Sequence, residues 1–183
     1  MRIHRREEGA ALVEFALVAT LLFTILFGII EFGLAFRDWL SVTSATREGA
    51  RVASAAGNDP AADCYILDAM TGPLLAVPTD DAATFKVTIF KADSNGDPIP
   101  GVWQVYVPFD GTNLDLTCTK TWTAGPGNGG YEPATRGVNA GSLDTIGVRI
   151  EFTHQWVTNF WPVSGEWTDD AVMRMEPKGF PAS

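Results

Sequence analysis

Residues 10–36 read AALVEFALVATLLFTILFGIIEFGLAF, and the only charged side chains in this segment are Glu14 and Glu31. At ~1.5 Å per residue it would form a helix roughly 40 Å long, enough to cross a hydrocarbon core of ~30 Å. The pattern therefore predicts a transmembrane helix. A cleaved secretory signal, cut near Gly33-Leu34-Ala35, is the alternative, but the apolar part of such a signal is only about 7 to 15 residues long.

The basic residues flanking this segment do not decide its orientation by number, because three arginines lie on each side. They are Arg2, Arg5 and Arg6 before the segment and Arg37, Arg47 and Arg51 after it. The arginines before the segment lie close to its start. Long C-terminal domains, in addition, are exported largely regardless of their charge. We therefore expect a cytoplasmic N-terminus and an exported remainder.

Two carboxylates lie within the apolar segment. A charged side chain in hydrocarbon costs at least ~2.5 kcal/mol, so such a residue indicates a function. Glu14 is either paired with a cation or solvated at headgroup level, within about 7 Å of Ala10 along the helix. Glu31 is expected near the opposite interface, solvated beside Arg37. The two acids are 17 residues apart and point about 100° away from each other, which excludes an acid–base pair.

The same region resembles a known family. Gly9, four residues and then Glu14-Phe15 at the head of an apolar helix resemble the cleavage site of type IV pilins and pseudopilins, in particular the Flp/Tad subclass. Segments 7–18, 27–33 and 45–51 resemble TadE-like proteins of tight-adherence pili. Residues 173–177, Met-Arg-Met-Glu-Pro, resemble the end of that family.

This resemblance implies a processing site and a set of partners. A prepilin peptidase would cut between Gly9 and Ala10, and Glu14 would then neutralise the new α-amino group of a neighbouring subunit, with Phe15 beside it. The implied partners are other Tad/Flp pilins and minor pilins, the peptidase and the inner-membrane assembly platform. The implied location is the bacterial inner membrane, with a periplasmic C-terminal domain and incorporation into the extracellular pilus as a further step.

The fold class expected is α+β, with a long N-terminal transmembrane helix extended into a small antiparallel β-sheet domain, as in pilins. We expect a cytoplasmic leader over 1–9, the membrane helix over 10–36, a helix extension over 37–57 and an exported globular domain over 58–183. Small residues recur on one face of the extension, which indicates packing either on a partner subunit's helix or on this chain's own sheet. They are Ala45, Gly49, Ala53 and Gly57.

Turn residues divide the exported part into elements. Asp59-Pro60 and Gly72-Pro73 bracket a short predicted helix over 61–70. Alternating residues predict strands over 85–91, 102–109, 116–123, 146–156 and 171–176, the last with Met173 and Met175 inward. Asn95-Gly96 predicts a hairpin turn between two strands. The acidic residues from Asp93 onward resemble the start of an EF-hand calcium loop, but the glycine and the final glutamate of that pattern are missing, so we expect a plain turn. The glycine-rich stretch 124–141 is expected to be a surface loop.

Two residue sets in the exported part allow two interpretations each. Cys64 and Cys118 form a disulfide in an oxidising compartment, which would stabilise the fold by roughly 4 kcal/mol, or remain buried thiols. The aromatic residues between 156 and 167 form either a docking surface for a partner or a lid on the small core. They are Trp156, Phe160, Trp161 and Trp167.

Composition excludes several functions for this chain of 183 residues. A net charge of −9 and a pI of about 4.6 argue against nucleic-acid binding. Of the two histidines, His4 lies in the expected leader, so the mature chain would keep only His154 and no cluster with metal-ligand spacing. We therefore expect no metal, no cofactor and no catalysis. A minor pilin or pseudopilin is the leading interpretation. The alternatives are an uncleaved single-pass protein displaying a binding or adhesion domain, and a membrane-tethered enzyme.

Overall fold

The computed structural model of this protein describes residues 4–77, 85–108, 122–124, 129–154, 156–157 and 165–177. These residues form two helices, α1 (His4–Ala56) and α2 (Ala62–Leu74), and five strands. The strands are β1 (Phe85–Ala92), β2 (Pro98–Pro108), β3 (Trp122–Ala124), β4 (Thr145–His154) and β5 (Gly165–Arg174). A 3₁₀ turn spans Pro133–Thr135. The predicted α+β class, with a long apolar helix and an antiparallel sheet, is confirmed.

Helix α1 is a single unbroken helix of 53 residues. It therefore contains both the predicted membrane segment and its predicted extension. It ends at Gly57, whose φ of +59° is left-handed and whose N–H donates to the Ala53 carbonyl at 3.3 Å. Glycine is the residue that adopts this conformation at lowest cost, so the end of the helix is encoded locally.

Helix α2 starts where the sequence indicates and ends later. The Asp59 side chain accepts a hydrogen bond from the Ala61 N–H at 2.9 Å in the turn before the helix, and Ala61, in place of Asp59, is the N-cap. The predicted stop at Gly72-Pro73 is wrong, because the helix continues to Leu74 with Pro73 inside its last turn. A proline ring also clashes with the Cβ and N–H of the preceding residue, and Gly72 has no Cβ, so this part of the cost of proline is reduced here. The Leu75 N–H still reaches the Thr71 carbonyl at 3.0 Å.

The five strands form one antiparallel sheet in the order β3-β2-β1-β4-β5. Strands β1 and β2 form the predicted hairpin, and its turn is held by Asp93, whose carboxylate accepts from the N–H groups of Asn95 and Asp97 at 2.8 and 3.0 Å. Gly96 takes a φ of +93° there. Most of the predicted strand 116–123 lies outside the described residues, apart from the short β3.

Strand β5 begins earlier than predicted. It pairs with β4 over its whole length, from Gly165 opposite His154 to Arg174 opposite Thr145. The polar run 168–170 concealed the first part of this strand in the sequence. One face of an edge strand can be solvated, so its residues need not be apolar. Met173 lies opposite the buried Ile146 and so shares the core face of the sheet, as predicted, but it is 37% exposed because β5 is an edge strand. Met175 is buried as predicted, but it follows the end of the strand.

The core lies between one face of the sheet and the two helices. Ile146, Val148, Ile150 and Phe152 of β4 are buried, as their alternation predicts. From residue 31 onward, one face of α1 is buried at intervals of three or four residues, which is the spacing of one helix face. The second half of α1 is thus a core element of the globular domain.

Candidate functional site

The first half of α1 presents large apolar side chains that the rest of the chain does not cover. Phe15 and Leu17 are about 70% exposed, and the other bulky residues up to Ile30 are exposed as well. Among the described residues, α1 is the one helix long and apolar enough to cross a membrane, over Gly9–Ala56. A core helix of a soluble protein would be buried, whereas the most apolar part of this helix is entirely unburied. One long apolar helix of this kind fits a single-pass membrane protein.

The predicted processing site lies on this exposed part of α1. A Cβ placed on Gly9 would have no atom within 4 Å, and its φ is not positive. Packing and backbone conformation therefore do not require glycine here, although glycine in a helix costs ~1 kcal/mol relative to alanine. Ala10, Glu14 and Phe15 are exposed on the same stretch of helix. The four residues are available to another molecule.

Glu31 is in a different environment from Glu14. The sequence placed it at the far interface in contact with water, but the folded chain leaves only 1% of it exposed. It heads the buried face of α1, which continues through Ala35 and Asp38. The sequence could not reveal this, because the cover comes from distant parts of the chain.

Asp38 connects α1 to the sheet through a buried contact with His154. The two side chains are 3.0 Å apart, from Asp38 Oδ2 to His154 Nδ1, and each is less than 5% exposed. The other oxygen of Asp38 accepts from Arg37 Nη2 at 2.8 Å. His154 is a core residue of β4, as its position in the alternating pattern indicates. The partnership with Asp38 was not predicted, since the two residues are far apart in sequence.

Aromatic rings surround this contact. The His154 imidazole stacks on Trp167 at 5.3 Å between ring centroids, and Trp167 also meets Trp39 and Phe152 edge-on. Trp156 lies against His154 at 4.7 Å and against Phe32 of α1 at 6.3 Å. Of the predicted aromatic surface, Trp167 therefore contributes to the core and Trp156 bridges to α1. Phe160 and Trp161 lie outside the described residues.

The small-residue face of α1 packs on this chain's own domain. Ala45, Gly49, Ala53 and Gly57 are buried. A Cβ on Gly49 would lie 2.6 Å from Met70 Sδ of α2 and 3.4 Å from Val148 of β4. Of the two interpretations that the sequence allowed, packing on a partner subunit's helix is therefore wrong for this face.

A buried ionic cluster lies between α2, β2 and the segment before β4. The Arg136 guanidinium contacts Asp63, and its side chain has no exposed surface. The other oxygen of Asp63 accepts from the Tyr106 hydroxyl at 2.5 Å. The Arg136 Cζ atom lies 5.0 Å from the centroid of the Tyr131 ring. We name Asp63, Tyr106, Tyr131 and Arg136 the inner cluster.

The inner cluster corrects the expectation of a surface loop over 124–141. In the described part of that stretch, Tyr131 is 1% and Arg136 3% exposed. Asp144 holds the same stretch from its other end, because its carboxylate accepts from the Gly137 N–H at 2.9 Å and pairs with Lys91 at 2.7 Å. The glycine and proline content of this stretch indicated a loop. The one signal of burial in the sequence was the bulky Tyr131, whereas the burial of Arg136 depends on its distant partner Asp63.

Two tyrosines of the inner cluster are held neutral. Burial, together with the charge of Asp63 and a hydrogen bond to it, raises the pKa of Tyr106 far above its ordinary value near 10. Burial and the charge of Asp144 raise the pKa of Tyr131 in the same way. Neither hydroxyl is poised to exchange a proton near neutral pH. The cluster has the properties of a structural network.

We expect these pKa values to appear in the stability of the protein at high pH. The unfolded chain releases its tyrosine protons from about pH 10, while the folded chain retains them, so the free energy of unfolding should fall as pH rises above ~10. Each retained proton contributes a slope of ~1.4 kcal/mol per pH unit. Denaturant titration of the full chain in detergent, for wild type and Tyr106→Phe, measures the difference. Equal slopes above pH 10 would contradict the raised pKa of Tyr106.

The described residues offer no metal centre. Within them, no group of three or more His, Cys, Asp or Glu side chains could hold a metal ion. The turn at Asp93 is closed by its own backbone N–H groups, which occupy the carboxylate. Cys64 lies on α2, and Cys118 lies outside the described residues, so the disulfide stays a prediction.

The fold and the exposed helix fit a single-pass, membrane-anchored α+β protein, and comparison with known families narrows this class. Residues 9–51 match the family model described as TadE-like protein. The resemblance to the TadE-like family of Tad pilus systems is confirmed over these residues, which suggests involvement in such a system. The TadE-like pilus family is non-enzymatic in general. No curated protein and no solved structure matches the chain.

Proposed function

We propose that this protein is a minor pilin or pseudopilin of a Tad/Flp-type pilus, matured by a prepilin peptidase that cuts after Gly9. It acts without catalysis of its own, through contacts with other subunits during pilus assembly or initiation. Its partners are other Tad/Flp pilins and minor pilins and the inner-membrane assembly platform. The domain is periplasmic while the helix is anchored in the inner membrane.

The observation that carries this proposal is the contrast between the two halves of α1. The second half is packed on its own domain through Ala45, Gly49 and Ala53, while the first half is uncovered and apolar. Such a helix is stable either in lipid or against the helices of other subunits. Movement from the first environment to the second is the step that pilus assembly requires.

Glu14 is the residue proposed to guide that step. It lies within about 7 Å of Ala10 along the helix, and both are exposed. Cleavage after Gly9 creates an α-amino group on Ala10, and a carboxylate moved out of lipid among apolar helices is stable only when it is paired. The new amine of a neighbouring subunit supplies the partner. Phe15 lies next to Glu14 and is 71% exposed, so it would pack at the same contact.

A disulfide between Cys64 and Cys118 is part of the proposal, since the exported domain would be in an oxidising compartment. Cys64 is not a free thiol, which supports the pairing.

We expect Cys64→Ser to lower the free energy of unfolding by roughly 4 kcal/mol, because the disulfide restricts a loop of about 55 residues in the unfolded chain. Thermal unfolding with and without reductant measures the effect. Equal stability of the oxidised and reduced wild type would count against the disulfide.

Processing is tested by Gly9→Leu in cells that contain a prepilin peptidase. We expect the wild type to lose residues 1–9 and the variant to retain them, because a branched side chain fills the position next to the bond that is cut. Packing within the chain is not expected to suffer, since a Cβ at Gly9 meets no atom within 4 Å and the position is exposed. Intact mass and N-terminal sequencing read out the result directly.

Gly28→Leu is the matched control, because Gly28 lies on the same helix and a Cβ there also meets no atom within 4 Å. It should be processed as the wild type is. A wild-type protein that still begins at Met1 in the presence of the peptidase would contradict the pilin assignment. That result would favour an uncleaved single-pass protein that displays a binding or adhesion domain.

A further inference from the structure

The positions of the two acids in α1 limit how the chain can sit in a membrane. Glu14 and Glu31 are 17 residues apart, or roughly 26 Å along the helix, and tilt shortens this distance further. A hydrocarbon core is ~30 Å thick. In an undistorted bilayer of this thickness, the helix backbone at both residues therefore cannot lie outside the hydrocarbon at the same time.

Burial decides which of the two lies inside. Glu14 is exposed on the helix surface, so in hydrocarbon it would face lipid directly. Glu31 is 1% exposed, because the folded domain covers it. A shielded carboxyl is less costly at membrane depth than one facing lipid. The lower-energy position places Glu14 at the near headgroups and Glu31 below the far surface of the hydrocarbon.

The cover over Glu31 must then reach into the lipid as well. Strand β4 and the residues after it run toward the membrane. His154 contacts Asp38 of α1, and Trp156, two residues later, contacts Phe32, which lies nearer to the apolar first half of α1. The residues at this end are apolar where they are exposed: Phe32 is 60%, Phe36 63% and Val157 73% exposed. Arg37 and Trp39 follow at the level where basic and aromatic residues meet headgroups.

A groove between α1 and the sheet opens at the level of Phe32 and Phe36. Its cavity volume is ≈ 590 Å³, and it is lined by Phe32, Gly33, Phe36, Trp39, Trp156 and Trp167. The groove is continuous with the exposed apolar surface of the first half of α1, which is the surface that faces lipid. Its lining is apolar and aromatic, which suits an acyl chain.

We propose that the membrane-proximal end of the globular domain is immersed in the bilayer, with acyl chains of membrane lipids filling the groove between α1 and Trp156. The domain thus does not stand above the membrane on a bare helix. Residues 156–157 enter the hydrocarbon beside Phe32 of α1. This inference goes beyond the pilus role and rests on α1 spanning a membrane.

The test is photo-crosslinking of the full chain in vesicles of phosphatidylethanolamine and phosphatidylglycerol. Benzoylphenylalanine replaces Val157, which is exposed and whose substitution leaves the core intact. The matched negative control is Tyr65, an aromatic residue on α2 that is 53% exposed. Met70 of α2 packs at the level of Gly49, so Tyr65 lies still farther from the membrane. Phe23, in the middle of the apolar segment, is the positive control.

We expect lipid adducts at Val157 with a yield comparable to that at Phe23, and roughly tenfold or more above that at Tyr65. Adducts at Phe23 without adducts at Val157 would overturn the immersion of the domain and leave the membrane span intact. Crosslinks from Val157 to a second copy of the chain, in place of lipid, would overturn it also. Absence of adducts at Phe23 would refute the membrane span itself, and the inference with it.

Discussion

Replacing Asp63 with alanine should lower the free energy of unfolding by about 3–5 kcal/mol, the largest effect expected in the globular domain. The guanidinium of Arg136 has no exposed surface and depends on this carboxylate for its charge balance. Its Nε and Nη1 atoms already lack a hydrogen-bond partner among the described residues. Loss of Asp63 would leave a buried charge uncompensated and the Tyr106 hydroxyl without its acceptor.

Asp68→Ala supplies the control, because Asp68 lies on the same helix α2 and is exposed. Its replacement should change stability by no more than ~0.5 kcal/mol. The double variant Asp63→Leu, Arg136→Met should recover much of the loss, since an apolar pair often replaces a buried ion pair at little cost. Chemical denaturation of the full chain in detergent measures all three. A similar small cost for Asp63→Ala and Asp68→Ala would show that the inner cluster does not stabilise the fold.

Replacing Glu14 with alanine should abolish pilus assembly while the protein stays in the membrane at its normal level. Glu14 is exposed, and in the described structure nothing on its own chain depends on it. The proposed partner is the amine of Ala10 on a neighbouring subunit, which exists only after cleavage. Electron microscopy of pili and immunoblots of membrane fractions, in cells carrying the variant as their sole copy, measure the two quantities.

Glu14→Gln separates pairing from solvation, because it keeps the shape of the side chain and removes its charge. Pairing predicts that the glutamine variant fails as the alanine variant does. Val13→Ala, an apolar change next to Glu14 at an exposed position, should leave assembly unchanged. Normal pili with Glu14→Gln would mean that the carboxylate is merely solvated at the headgroups.

The features that the sequence predicted correctly are local ones. The apolar run of α1 and the alternation of β4 each carry a period that specifies an element without reference to the rest of the chain. The turn at Asp93 to Asp97 is likewise encoded by its own residues. The TadE-like match falls on the same helix, over residues 9–51.

The features that the sequence concealed depend on distant pairs. The contact between Asp38 and His154 joins residues 116 positions apart, and that between Asp63 and Arg136 joins residues 73 apart. No local pattern reports such pairs, so Glu31 was expected in water and Arg136 in a surface loop. The first part of strand β5, before the predicted strand 171–176, was concealed for the same reason, because its polar residues belong to a strand only through pairing with β4.

The continuity of α1 has a mechanical consequence. The helix enters the domain core without a loop or hinge, from His4 to Ala56, so the anchor and the domain share one axis. The part of α1 beyond Phe36 is roughly 30 Å long, and a tilt of about 20° in the anchor would move the far end of the domain sideways by about 10 Å. Any change in the slope of the first half of α1 would therefore change the direction in which the whole sheet faces.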